Sequence, residues 1–168
     1  MASIMAEVAA GQNMMTDKCI LDTLAGNVKT GSVFKLVLLN LALGAAALTQ
    51  ATTVFWSDLS AAETNTKSDG VTATPLQYTK GTGITLTGAN ITAIAAHAAS
   101  LDFADISLDN ADFLSDAYAL IRWVTTTADS PVLCLGKWNV AKNPAGTGTA
   151  NFTATVANPL KFTAGAAS

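Results

Sequence analysis

Charge is scarce in this chain. Only 12% of its 168 residues are Asp, Glu, Lys or Arg, where soluble domains usually carry about 25%. Something other than charge must therefore make the surface compatible with water or with a partner. Thr, Ser, Asn and Gly fill that role, and such surfaces suit extended structure and dry, hydrogen-bonded contact. The charges that are present nearly cancel, nine Lys plus Arg against twelve Asp plus Glu, for a net charge of −3. That balance offers no counterion release from a polyanion, so direct DNA or RNA binding is not expected.

Histidine and cysteine are almost missing. With one His and two Cys, and no ligand neighbour at useful spacing from Cys19 or Cys134, a zinc site is not expected. The two thiols are expected to be reduced and core-filling. The first fifteen residues lack a basic leading region and place Glu7 inside their apolar stretch; they do not read as a secretory signal, and maturation in a cytoplasm is expected. Long hydrophobic runs are lacking too. Val33 to Leu48 is interrupted by Lys35, Asn40 and Gly44 and falls short of the ~20 residues that span a bilayer, so no membrane partner is expected.

The residues that acid–base chemistry needs are equally sparse. His97 lies in Ala95-Ala96-His97-Ala98-Ala99 with no Asp or Ser at motif spacing. Asp102, Asp105, Asp109 and Asp112 recur every three or four residues, but the ladder, Gly and closing Glu of a calcium loop are missing. Alternation with Leu101, Phe103, Ile106 and Leu108 assigns these acids to the solvent face of strands instead. Gly81-Thr82-Gly83 lacks the Lys-Ser/Thr end of a phosphate loop and reads as a hairpin turn. Trp56, Trp123 and Trp138 are not interleaved with basic residues, so core or interface anchoring is expected of them. The alternative is a carbohydrate platform on a tail or adhesin module. Neither an enzyme nor a cofactor is expected.

What the chain does have is extended patterning. Val33 to Leu41 is apolar on both faces and reads as a central strand. Ile84 to Thr87, Ile91 to Ile94, Leu101 to Phe103, Ile106 to Leu108, Phe152 to Val156 and Leu160 to Phe162 alternate or stay extended. Ala117 to Thr126 and Pro131 to Val140 form the strongest pair, joined through Thr127 to Ser130. One short helix is expected between Thr16 and Asn27, with a Thr or Asp cap, apolar Ile20, Leu21 and Leu24, and Gly26 to end it. A helical turn or irregular corner is expected in Thr53 to Glu63, and a polar loop from Asn65 to Thr74. The expected fold is mainly β: one sandwich or jelly-roll domain over 16–168 with one or two short helices.

Met1 to Met15 reads as an arm preceding that domain. Ordering fifteen residues would need roughly 600–1,200 Å² of apolar contact, the area of a protein interface, so the arm is expected to be either disordered when free or docked on a neighbour. Met5, Met14 and Met15 suit such docking because an unbranched thioether adapts to irregular surfaces.

Several segments together resemble a family of small phage virion proteins, the capsid decoration or cement proteins with a jelly-roll-like β fold. They are Phe34-Lys35-Leu36-Val37-Leu38-Leu39, Val54-Phe55-Trp56-Ser57-Asp58-Leu59, the Gly-Thr-Gly turn into Ile84-Thr85-Leu86-Thr87-Gly88, Leu101 to Ile106, and the pair Ala117 to Arg122 with Pro131 to Gly136. Their order and spacing carry the likeness, and Asp116 stands where the family commonly has Arg. The resemblance implies a protein on the outside of an icosahedral shell that bridges major capsid subunits and acts as a dimer or trimer. Contacts are then expected on loops and termini: Met5, Met14 and Met15 of the arm, Phe55 and Trp56 at the corner, and Lys67 and Asp69 in the polar loop.

Overall fold

A computed structural model describes residues 8–44, 48, 53–64, 78–95, 98–104, 106–108, 115–142, 152–154 and 160–163. The described chain is mainly β. Its strands are β1 (Asn13–Met15), β2 (Val33–Leu39), β3 (Ile84–Leu86), β4 (Asn90–Ala95), β5 (Ala98–Asp102), β6 (Ile106–Leu108), β7 (Ser115–Trp123), β8 (Val132–Lys142), β9 (Phe152–Ala154) and β10 (Leu160–Thr163). The helices are α1 (Asp17–Leu24), the single turn α2 (Leu41–Gly44) and a 3-10 turn at Trp56–Leu59.

The principal sheet has five strands in the order β1-β8-β7-β2-β3, and all of its pairings are antiparallel. The long β7–β8 pair expected from the sequence forms, and β2 lies against β7 from Val33↔Trp123 to Leu39↔Ala117. A three-stranded sheet, β10-β5-β4, and a two-stranded sheet, β6-β9, complete the described strands.

Strand β2 is apolar on both faces because both faces are covered. Side chains directly opposite in an antiparallel pair share a face, which places Phe34, Leu36, Leu38 and Leu120 on one side and Val37, Leu39, Ala119 and Ile121 on the other. The first set packs with Leu101, Phe103, Ile106, Cys19 and Cys134, and Phe34 meets Phe103 edge-on with ring centroids 5.2 Å apart. The second packs with Val8, Leu48, Trp56, Leu59 and Val132. The principal sheet is thus the middle layer between two apolar clusters.

The arm expectation is corrected from Val8 onward. Val8 is buried, and β1 pairs with β8 through Asn13↔Gly136, Met14↔Leu135 and Met15↔Cys134. The Gly11 N–H also donates to the Lys137 carbonyl (3.1 Å), and the Lys137 N–H to the Gln12 carbonyl (2.9 Å). The physical reason is the outer edge of β8, whose backbone groups would otherwise lack partners. Met5 and residues 1–7 lie outside the described residues.

Helix α1 follows at once. The Thr16 hydroxyl accepts from the Cys19 N–H (3.1 Å) as an N-cap, Asp17 sits in the first turn, and Gly26 at φ 71° closes the helix in the left-handed region that favours glycine. At the other edge of the sheet, β3 covers only Phe34 to Leu36 of β2. Beyond it the chain at 62–64 takes over: the Asn40 N–H donates to the Ala62 carbonyl (2.8 Å) and the Thr64 N–H to the Leu38 carbonyl (2.9 Å).

Candidate functional site

Glu63 is the most buried acidic side chain of this second edge, 3% exposed, and three donors converge on it. The Trp56 indole N–H donates to Oε2 (3.0 Å). The Tyr78 hydroxyl (2.7 Å) and the Gly81 N–H (2.8 Å) both donate to Oε1, while the Tyr78 oxygen accepts from the Leu38 N–H (3.2 Å). Trp56 belongs to one apolar cluster and Tyr78 to the other. One carboxyl group therefore ties both layers to the rim of β2. Burial first, then the neighbouring Glu63, holds the Tyr78 phenol far above its ordinary pKa, so it remains a donor.

Lys35 lies over the Trp56 ring, its Nζ 5.5 Å from the centroid. Its Nζ donates to the Thr82 carbonyl (2.8 Å) and stands 4.1 Å from the centroid of the Trp123 ring. Trp123 meets Trp56 edge-on at 5.6 Å. Trp138 stacks at a tilt on Tyr118, centroids 4.4 Å apart, and its indole N–H donates to the Ser115 hydroxyl (2.9 Å). All three tryptophans are engaged with the protein's own groups. Trp56 is fully buried, so its expected place at a partner-facing corner is corrected: the indole needs the Glu63 acceptor, and a loop that delivers it there must turn it inward. Its neighbour Phe55 is half-buried, bridges to Pro131, and carries Lys18 5.7 Å above its ring.

No family model, no curated protein and no solved structure matches this chain.

A second polar cluster fixes α1 to the sheet. Arg122 Nε pairs with Asp22 Oδ2, Arg122 Nη2 donates to Asp22 Oδ1 (3.2 Å), and the Asn27 side-chain amide donates to that same oxygen (3.2 Å). Beside it, Cys19 and Cys134 are buried and form no disulfide, as expected. Burial pushes the Cys19 thiol up to about 11, opposed by a hydrogen bond to Thr23 and helped by Asp22; burial raises Cys134 as well, and Cys19 adds to that. Such thiols pack and do not attack.

With Cys19 and Asp22 turned inward, the other face of α1 is in water. Ile20 is 49% exposed, Leu21 62% and Leu24 80%. Of the expected contact residues, Met14 and Met15 are half-buried on β1 and Phe55 sits beside Lys18 of α1. Lys67 and Asp69 lie outside the described residues, as does His97. Among the described residues, the exposed aliphatic side chains of Ile20, Leu21 and Leu24 on α1 were not among the expected contacts. Among the described residues there is no group of three His, Cys, Asp or Glu that could hold a metal ion, and no helix is long and apolar enough to cross a membrane. Asp116 accepts from the Leu41 N–H (2.8 Å) and so holds α2 against β7.

Proposed function

We propose that this chain is a structural virion protein, a decoration or cement protein that binds the outer surface of a phage shell and bridges its major capsid subunits. The observation that carries this reading is where the resembling segments fall. They occupy β2, the 3-10 turn, β3, β5 with the segment after it, and the β7–β8 pair; four of these five are neighbours within or against one sheet. A jelly-roll course for the remaining strands is part of the same proposal.

Support also comes from how the polar side chains are used. Glu63, Tyr78, Asp22 and Arg122 are consumed in holding loops and a helix to the sheet. A protein that resists force from within a shell needs this, and a binder that prefers the assembled lattice stabilises it by its differential affinity over many copies. Trp56 speaks against the glycan platform, because stacking on a sugar needs an open ring face and this ring is buried.

The test is co-purification. The chain should be recovered with purified particles in fixed proportion to the major capsid protein, and its removal should lower the temperature at which the particles release DNA. Finding it solely in the soluble fraction of infected cells would reject the proposal. Glycan binding that disappears with Trp123→Ala would favour the adhesin reading.

A further inference from the structure

We infer that residues 79–83 form a strap that opens and closes over the Trp56 indole while the sheet stays folded, with Lys35 as its clasp. The strap is short and lightly held. Tyr78 before it is buried and Ile84 after it pairs with Leu36, so both ends are fixed to the fold. Between them Thr79, Lys80, Gly81 and Thr82 are exposed, and the segment carries no large apolar side chain. One hydrogen bond lies within it, from the Thr82 N–H to the Thr79 carbonyl (3.0 Å). Among the described residues, two reach outside it: the Gly81 N–H donates to Glu63 Oε1 (2.8 Å), and Lys35 Nζ donates to the Thr82 carbonyl (2.8 Å). A segment with few apolar contacts and solvent-facing hydrogen bonds opens locally, well below the free energy of global unfolding.

Gly83 shows what the strap covers. A Cβ added there would lie 3.1 Å from Trp56 Cη2 and 3.3 Å from Cζ2, so the bare backbone rests on the benzo edge of the indole, on the side of its N–H. Trp56 is 1% exposed beneath it. Gly81 and Gly83 stand at φ 78° and 62°, and a residue without a Cβ leaves that region for an extended one at little cost; the hinge lies on either side of Thr82. Lys35 is held independently of the strap. Its Nζ is 4.1 Å from the Trp123 centroid and 5.5 Å from that of Trp56, an attraction that remains when the Thr82 carbonyl leaves. The ammonium is therefore in place to receive the strap again.

Opening withdraws one of three donors from the pin that Glu63 makes between Trp56 and Tyr78, and keeps the other two. It offers a partner what the closed chain withholds: the edge of an indole beside a carboxylate oxygen. The inference needs nothing from the coat-protein reading, and either can fail without the other.

Native-state hydrogen exchange on the full chain, followed by NMR at low urea, tests it. The Gly81 amide and the Trp56 indole N–H should exchange together through an opening that urea barely accelerates, while the β7–β8 amides show the steep urea dependence of global unfolding. Lys35→Met keeps the stem of the side chain and loses the ammonium; it should speed both exchanges about tenfold and leave the β7–β8 amides as they were. A Trp56 N–H with the same urea dependence as the β7–β8 amides would overturn the inference. So would a Lys35→Met protein in which Gly81 quickens and Trp56 does not, in which neither does, or in which the β7–β8 amides quicken by the same factor.

Discussion

Replacing Glu63 by Gln changes one atom and should unfold a large part of the stability margin. The ionised carboxyl group is acceptor-only, which matches the three donors of Trp56, Tyr78 and Gly81. A Gln can keep its carbonyl oxygen towards Tyr78 and Gly81. Its amide then points two N–H groups at the Trp56 indole N–H, so that donor loses its partner and faces another. A buried donor left unsatisfied, together with loss of a charge-assisted bond, costs about 2–4 kcal/mol. Glu63→Ala removes the shared acceptor of all three donors and should cost about 3–5 kcal/mol. Against a total of roughly 5–15 kcal/mol for an ordinary domain, either change shifts the urea midpoint clearly. Far-ultraviolet circular dichroism is the right readout, because indole fluorescence would change with Trp56 itself. Pairing Glu63→Gln with Trp56→Phe removes the opposed N–H, so the double variant should recover about 1 kcal/mol relative to the summed single effects. A Glu63→Gln protein within about 0.5 kcal/mol of the original, or strict additivity in the double variant, would refute the pin.

Two further perturbations test the packing of the apolar cluster that holds Tyr78. Gly136 lies opposite Tyr118 on the β7–β8 pair, and a Cβ added there would sit 2.2 Å from the Tyr118 Cζ; Gly136→Ala should destabilise by about 1–3 kcal/mol, with Tyr118→Ala in the same chain restoring part of it, as urea unfolding would read. The buried thiol gives a pH dependence of definite sign. Cys19 goes from an ordinary 9.0 to about 11 in the fold, so its contribution is fully present below about pH 9 and is lost as pH rises towards 11, because the unfolded chain releases the proton first. Unfolding free energy should fall across that window, and Cys19→Ser should flatten the fall; an unchanged slope would show that the thiol is not buried.

Much of the frame was legible because period-two patterning and turn residues act locally. The β7–β8 pair, the two-faced strand β2, the Thr16-capped helix and the turn at Trp56 all follow from residues within a few positions of one another. The edges of the sheet were not legible. Whether Asn13–Met15 pairs with β8 depends on an unfilled ladder more than a hundred residues away, and an arm and an edge strand share the same composition. Glu63 was passed over for a similar reason. A lone acid at the end of a helical turn has no motif; its meaning arises when Trp56, Tyr78 and Gly81 are folded around it.

Helix α1 shows where local pattern and tertiary structure part company. Its periodicity marks Ile20, Leu21 and Leu24 as the core face, and burying what they expose would contribute about 3–6 kcal/mol. Rolling the helix to do so would break Asp22 from Arg122, whose side chains are 4% and 18% exposed. Separating a buried pair costs about 3–5 kcal/mol. The two terms are of the same size, so the observed roll gains little within one copy of the chain.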